Sequence, residues 1–327
     1  MRKTPSVLIL GRIPPPVGGV TTHVSRLLAN LGNSTFTNYS FRDLRASTRF
    51  EVFVDILKYK AIHLHISRPF LQLGLATFCI LTRKRLLITY HGNWGRYGFL
   101  NNWAVNISAG LCAVPIVQNA ESLTKALFWN KRATLISTHL PAPPVGELAD
   151  HILNPIIDFK KDFKTILCTN AWNVTFDKNG KETYGILEII KCIENLQKTA
   201  LIVSDPSGQY SKYAVKMLGR QPGNVHYVSE PHDFRNILLL SDAFIRNTTT
   251  DGVSLSIHEA MELNVPVLAS NAVERPLFCK TFDKINEVNF EEDIPLARNL
   301  LATYAPDPVV CNPVERLIEI YNEQLRL

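Results

Sequence analysis

The residues richest in chemistry lie in one stretch of the C-terminal half, 244–270, FIRNTTTDGVSLSIHEAMELNVPVLAS. An apolar run closing on Arg246 suits a buried strand. A polar turn with Asp251 and Gly252 follows, and a helix opens at Ser254. Such a junction aims backbone amides and the positive helix end at the turn, so Gly252, Val253, Ser254, Leu255 and Ser256 form an anion seat suited to phosphate. Asp251 stands on the turn and Glu259 about one and a half helical turns inside. Carboxylates accept hydrogen bonds from diols, so one of the two can face a sugar while the other reaches ribose hydroxyls. The same pattern also suits a plain capped helix with Glu259 in solvent.

Other candidates lie in the first half. Gly18 and Gly19 follow the first apolar run, and a glycine pair at a strand-to-helix turn lets backbone approach a phosphate closely. His23, one turn further on, suits packing or capping. His91, in Tyr90-His91-Gly92-Asn93-Trp94, falls at the C-terminal end of a strand, the edge that faces a ligand, and Gly92 permits close approach. His63 and His65 share a strand face, but no third ligand follows at useful spacing, so structural histidines are expected there rather than a metal pair. The turn at 118–122 either lines an acceptor site or caps a helix.

The segment from Asp251 to Glu259, with Glu259-Ala260-Met261 and Pro266-Val267 after it, resembles the acidic E-x7-E motif of retaining GT-B glycosyltransferases of family 4. Arg246 before it and Arg275-Pro276 after it are similar to members that build bacterial capsules and O-antigens. The resemblance implies an α/β, GT-B fold of two Rossmann-like, doubly wound domains facing a cleft. It also implies transfer of a hexosyl-type sugar from a nucleotide diphosphate to a glycan, with retention. Asp251 and His91 would then serve catalysis at the sugar. Gly18, Gly19, Lys181, Arg246, Gly252, Val253, Ser254, Leu255, Ser256 and Glu259 would bind the donor.

The chain also departs from that family. Ala171 and Tyr184 stand where its members carry an Arg and a Lys that grip the diphosphate. Lys178, Lys181 and Arg246 are the local cations that could substitute, with Lys181 the first choice. No Asp-x-Asp follows a strand, which agrees with a site that uses helix ends and cations in place of a metal, and no cofactor beyond the donor is expected. The lost basic pair also motivates a second class: a non-catalytic GT-B-like binding or scaffold subunit of a polysaccharide assembly complex.

The elements that must position these residues alternate along the chain, as βα units feeding parallel sheets do. Strands are predicted at 6–10, 61–66, 86–90, 114–118 and 134–138, then at 165–169, 200–204, 225–228, 243–246 and 265–269. Helices are predicted at 20–31, 50–59 and 100–111, then at 184–196, 210–218, 233–240 and 254–263. The run at 141–144, Pro-Ala-Pro-Pro, and an irregular stretch through Asn154-Pro155 to residue 161 suggest a linker. The expected division is an acceptor-side domain at 1–150 and a nucleotide-sugar domain at 151–312, with the closing helix 313–327 free to pack back on the first. Ligands of such sheets bind at strand C-termini, so the cleft between the domains is the expected site.

Length and charge narrow the partners. A chain of 327 residues can bury cores without disulfide or metal staples, and 46% hydrophobic against 20% charged residues excludes disorder. Six scattered cysteines without a CxxC pair suit reduced, mostly buried thiols. No apolar run is long enough to span a bilayer or serve as a signal sequence, so a cytoplasmic protein is expected. Residues 1–150 hold 17 Lys and Arg against 6 Asp and Glu, a net of +11, whereas 151–327 hold 18 against 23, a net of −5. A basic first half suits an acceptor on a polyprenyl diphosphate and a peripheral place on an anionic membrane face, with 70–81 and Arg83-Lys84-Arg85 as a candidate docking surface. A solvated basic surface suits it as well. Nucleic acid is not expected, since no recognition helix or zinc finger is legible.

Overall fold

The computed structural model describes residues 6–15, 18–137, 139–177, 179–251, 254–304 and 312–326. The chain divides into two units, Met1–Pro143 with Asp307–Leu327, and Pro144–Pro306.

In the first unit β1 (Val7–Gly11), β3 (Ala61–His65) and β5 (Val114–Val117) are buried at every position, the pattern of strands covered on both faces. With β2 (Tyr39–Asp43), β4 (Arg85–Thr89) and β6 (Thr134–Leu135) they form a parallel sheet of order β2-β1-β3-β4-β5-β6. Helices α1 (Gly19–Gly32), α2 (Arg49–Lys58), α3 (Pro69–Leu81), α4 (Phe99–Leu111) and α5 (Ala120–Trp129) connect the strands. One face of the sheet packs Ile56, Ala76, Val105 and Ala126, from α2 to α5.

The second unit opens with α6 (Asp150–Lys160), where the sequence suggested an irregular linker. Ile152 and Ile156 lie one turn apart and both join the second core, which outweighs the backbone bond that Pro155 cannot make. Its parallel sheet has the order β12-β11-β10-β7-β8-β9. The strands are β7 (Thr165–Asn170), β8 (Thr199–Ser204), β9 (Val225–Val228), β10 (Ala243–Arg246), β11 (Val267–Ser270) and β12 (Cys279–Phe282). The helices are α7 (Ile186–Ile193), α8 (Gln209–Leu218), α9 (Phe234–Leu239), α10 (Leu255–Glu262) and α11 (Phe290–Thr303). The chain then returns to the first unit as α12 (Pro313–Arg326), whose Val314, Leu317, Ile320 and Tyr321 close the core holding Val7, Leu27 and Leu87.

Strand order reverses between β1 and β3 in the first sheet and between β7 and β10 in the second, and ligands of doubly wound sheets bind outside the strand ends at such points. Five cysteines, Cys79, Cys112, Cys168, Cys192 and Cys279, are free thiols, and four of these are buried. Because α12 fills one face of the first core, Leu317→Ala should lower stability by about 2–5 kcal/mol, read as a shift in urea midpoint.

Candidate active site

At the reversal point of the second sheet, three charged side chains pack into one ion triad. Arg246, the last residue of β10, donates to Asp251 from Nε at 3.0 Å and Nη2 at 3.3 Å. Arg275 donates to the same carboxylate from Nη1 at 3.1 Å. Arg275 is itself fixed by the carbonyl of Ser270 at the end of β11, 2.8 Å away, and by the Thr248 hydroxyl at 2.7 Å. Arg246 crosses to β7, where its Nη1 approaches the Asn170 side-chain oxygen at 3.3 Å. Side-chain exposure is 10% for Arg246, 12% for Asp251 and 3% for Arg275. Burial acts to raise the Asp251 carboxyl, but Arg246 and Arg275 overcome it and hold the group below the usual carboxylate range. Two guanidinium groups around one carboxylate leave one positive charge in excess.

The Arg246 guanidinium also lies over the Tyr184 ring, 5.0 Å from its centroid. It therefore spans the gap between the end of β7, beside Ala171, and Tyr184, the two places from which basic residues were missed in the sequence. Lys181 behaves differently. It sits on an exposed turn and pairs with Glu188 at 3.3 Å. Glu182 next to it turns inward and accepts from the amides of Ile186 at 2.7 Å and Leu187 at 3.2 Å, so a carboxylate of the chain occupies the start of α7. Asp205 does the same at α8, accepting from Tyr210 N at 2.8 Å, and Asp233 at α9, accepting from Arg235 N at 3.0 Å.

The start of α10 is arranged otherwise. Its N-cap Ser254 makes no side-chain capping bond and instead lies 3.2 Å from the Ser256 hydroxyl, both residues buried. Leu255 begins the helix, and Glu259 is a buried carboxylate on it at 9% exposure, not a solvent-facing one. Gly252 and Val253, and Lys178 among the cations, lie outside the described residues.

In the first unit Gly18 caps α1 and Gly19 opens it. Among the described residues, a β-carbon at Gly19 would meet nothing within 4 Å and one at Gly18 only Thr21 Oγ1 at 3.9 Å, so no packing there demands the pair. His91 follows β4 and belongs to a cluster of imidazoles with His23, His65 and His63. His65 Nδ1 is 3.2 Å from His91 Nε2, and His65 Nε2 is 3.3 Å from His63 Nδ1. His63 also meets Tyr321 Oη at 2.6 Å and Thr89 Oγ1 at 2.8 Å, and His91 Nδ1 meets Gln118 Nε2 at 3.1 Å. No group of three or more His, Cys, Asp or Glu among the described residues is arranged to hold a metal ion. Burial first, then neighbouring imidazoles, push His63 down to about 3 and His65 and His91 well below the ordinary value.

Sequence reasoning did not assign Arg275, Glu182 or Tyr321. Arg275 is 24 positions from Asp251, and Tyr321 is 258 positions from His63, so local spacing carries no signal for either contact. A hint of Arg275 lay in the Arg-Pro pair noted beside the acidic segment.

Two doubly wound α/β units, each a six-stranded parallel sheet with interleaved helices, define the GT-B fold of paired Rossmann-like domains. No family model and no curated protein sequence matches the chain, but solved structures do. It is similar to Anabaena Alr3699/HepE in complex with UDP-glucose, at 13% identity over 97% of this chain and 99% of that one, with a TM-score of 0.69. MnaA of S. aureus with UDP gives 13% identity over 99% and 97%, at 0.65. WaaG, a glycosyltransferase involved in lipopolysaccharide biosynthesis, gives 12% over 96% and 99%, at 0.63. At these identities the likeness establishes the fold.

The buried imidazoles have a consequence for stability. The folded chain keeps them neutral, whereas the unfolded chain takes up protons below about pH 6.5. Their contribution is thus complete above about pH 6.5 and is lost as the pH falls, at about 1.4 kcal/mol per pH unit for each imidazole. Urea unfolding at successive pH values should show this acid limb, and His63→Leu should shallow it by one proton's slope between about pH 6 and 4.

Proposed function

We propose that the chain is a glycosyltransferase that moves a sugar, of hexosyl type, from a nucleotide diphosphate to a hydroxyl of a glycan, with retention and without a metal. The observation that carries this is the excess positive charge of Arg246, Asp251 and Arg275 over the ends of β7, β10 and β11. A diphosphate leaving group gains charge as its bond to the sugar breaks, and preorganised guanidinium groups in a buried site stabilise that charge most strongly. The glycosidic carbon–oxygen bond to the diphosphate breaks while the acceptor oxygen bonds to the same carbon on the same face. The acceptor proton passes to the departing phosphate oxygen. Arg246 and Arg275 hold the diphosphate, the hydroxyls of Ser254 and Ser256 add donors, Gly252 and Val253 are assigned to the same phosphates, and Glu259 takes the ribose. Asp251 orients both arginines and presents its edge to the sugar. His91, Gly18 and Gly19 are assigned to the sugar and the acceptor. UDP and UDP-glucose bound in the Anabaena structures, and the part of WaaG in lipopolysaccharide biosynthesis, support a nucleotide-sugar donor and a surface polysaccharide product.

The acceptor is assigned as lipid-linked, with the protein working at the cytoplasmic face of the membrane. Among the described residues no helix is long and apolar enough to cross a bilayer. The first turns of α2, α3 and α4, which lie at the same sheet edge as His91, instead expose Phe50, Phe70, Leu71, Phe99 and Leu100, with Phe99 at 84%. Arg49, Arg68 and Arg96 stand beside them in sequence, the mixture that binds an anionic interface.

UDP, GDP and their sugars, screened by thermal shift, should include a stabilising ligand, and Arg246→Ala should abolish the shift. Glu259→Ala should cut turnover by orders of magnitude with the fold intact. Asp251→Ala should do so too, but at a cost of about 3–5 kcal/mol, because it leaves two buried guanidinium groups unpaired. Binding without turnover would favour the non-catalytic subunit, a role to which the occupied Asp251 oxygens are also suited. In a separate test, vesicles with anionic lipid should retain the protein at low salt, and Phe70→Ser with Phe99→Ser should release it; no retention by the unaltered chain would remove the membrane assignment.

A further inference from the structure

The line Gln118, His91, His65, His63, Tyr321 is joined by hydrogen bonds from the end of β5 to the closing helix α12. Which nitrogen of each ring carries the proton follows from what the ends can do. Tyr321 is fully buried, and its hydroxyl has His63 Nδ1, 2.6 Å away, as its one recorded polar partner among the described residues. A buried hydroxyl proton without an acceptor is costly, so the phenol donates and His63 Nδ1 accepts. Burial keeps the phenol protonated, far above its ordinary titration range. His63 therefore carries its proton on Nε2 and donates to Thr89 Oγ1. A bare His65 Nε2 would face His63 Nδ1 at 3.3 Å without any proton of its own to offer, so His65 also carries its proton on Nε2, and His63 Nδ1 accepts a short bond from Tyr321 and a longer, secondary one from His65. Its Nδ1 then accepts from His91 Nε2–H. The last free choice is gone: His91 Nδ1 is a lone pair, accepting from the Gln118 amide.

We infer that Tyr321, acting through His63 and His65, is a positioning residue that sets the tautomer of His91, so that His91 offers its Nδ1 as an acceptor to a substrate hydroxyl that displaces Gln118. Groups facing His91 agree with a neutral ring. His23 from α1 lies 5.1 Å away ring to ring, His65 comes from β3, and the Arg96 guanidinium packs against the neighbouring Gly92. None of these supplies a carboxylate that would favour an imidazolium.

Only the kinetic arm of the test rests on the proposed transfer reaction. Long-range ¹H–¹⁵N spectra of the histidine-labelled protein at pH 7 should show His91, His65 and His63 as Nε2–H tautomers. Finding Nδ1–H at His91 in the unaltered protein would overturn the inference, whatever the chain catalyses. Tyr321→Phe keeps the ring and removes the donor, and should turn the single His91 tautomer into a mixture. A Tyr321→Phe spectrum identical to that of the unaltered protein would equally overturn it, and should the variant not fold, the unaltered spectrum still decides. With a donor and acceptor in hand, Tyr321→Phe should lower kcat about tenfold, as for one misoriented hydrogen bond, and leave donor Kd unchanged. A fall in donor affinity with kcat unchanged would instead make Tyr321 merely structural.

Discussion

Two guanidinium groups share one carboxylate, and all three are nearly shut off from water. Such a group of charges is stable only when each partner is present, because removing a charge from solvent costs several kcal/mol and only close pairing offsets it. This constraint organises the end of the second sheet. Arg246 must leave β10 pointing across the strand reversal, the turn after β10 must bring Asp251 back under it, and the chain after β11 must return Arg275 from the other side. Thr248, Ser270 and Asn170 are drawn in as secondary partners. The surplus charge sits where a doubly wound sheet accepts its ligand.

The same edge shows how a chain keeps some anion sites for itself. Glu182, Asp205 and Asp233 place carboxylates at the starts of α7, α8 and α9, so those backbone amides are already satisfied. At α10 the capping residue Ser254 bonds to another hydroxyl instead. Of these four helix starts, three are thus filled from within, and at α10 the described polar groups are two hydroxyls beside a cationic triad.

Much of the architecture was legible because it rests on runs that are buried on both faces. β1, β3, β8 and β10 read directly as strands, and α10 read directly as a helix. The losses have physical causes. β2, of sequence YSFRD, is partly exposed at each position, and β12 is an edge strand of mixed burial, so neither shows an apolar run. Pro155 hid α6, whose two buried isoleucines outweigh it. Within the site, the residue types were visible but not their pairings. The pairing of Asp251 with two arginines was hidden, because Arg275 arrives through a long-range return of the chain that spacing cannot show. His63 and His65 were legible as a pair on one strand face, yet their line of contacts to Tyr321 depends on a helix from the far end of the sequence.

That helix, α12, also dictates an order of events during synthesis. Leu317, Ile320 and Tyr321 leave the ribosome after the whole of Pro144–Pro306, so the earlier-made half must wait, its hydrophobic face uncovered and His63 lacking its phenol, while the later-made half already has every strand it needs. For this chain the usual N-terminal-first sequence of maturation is reversed at its final step, and a nascent chain stalled before residue 313 would expose the sticky surface that chaperones recognise.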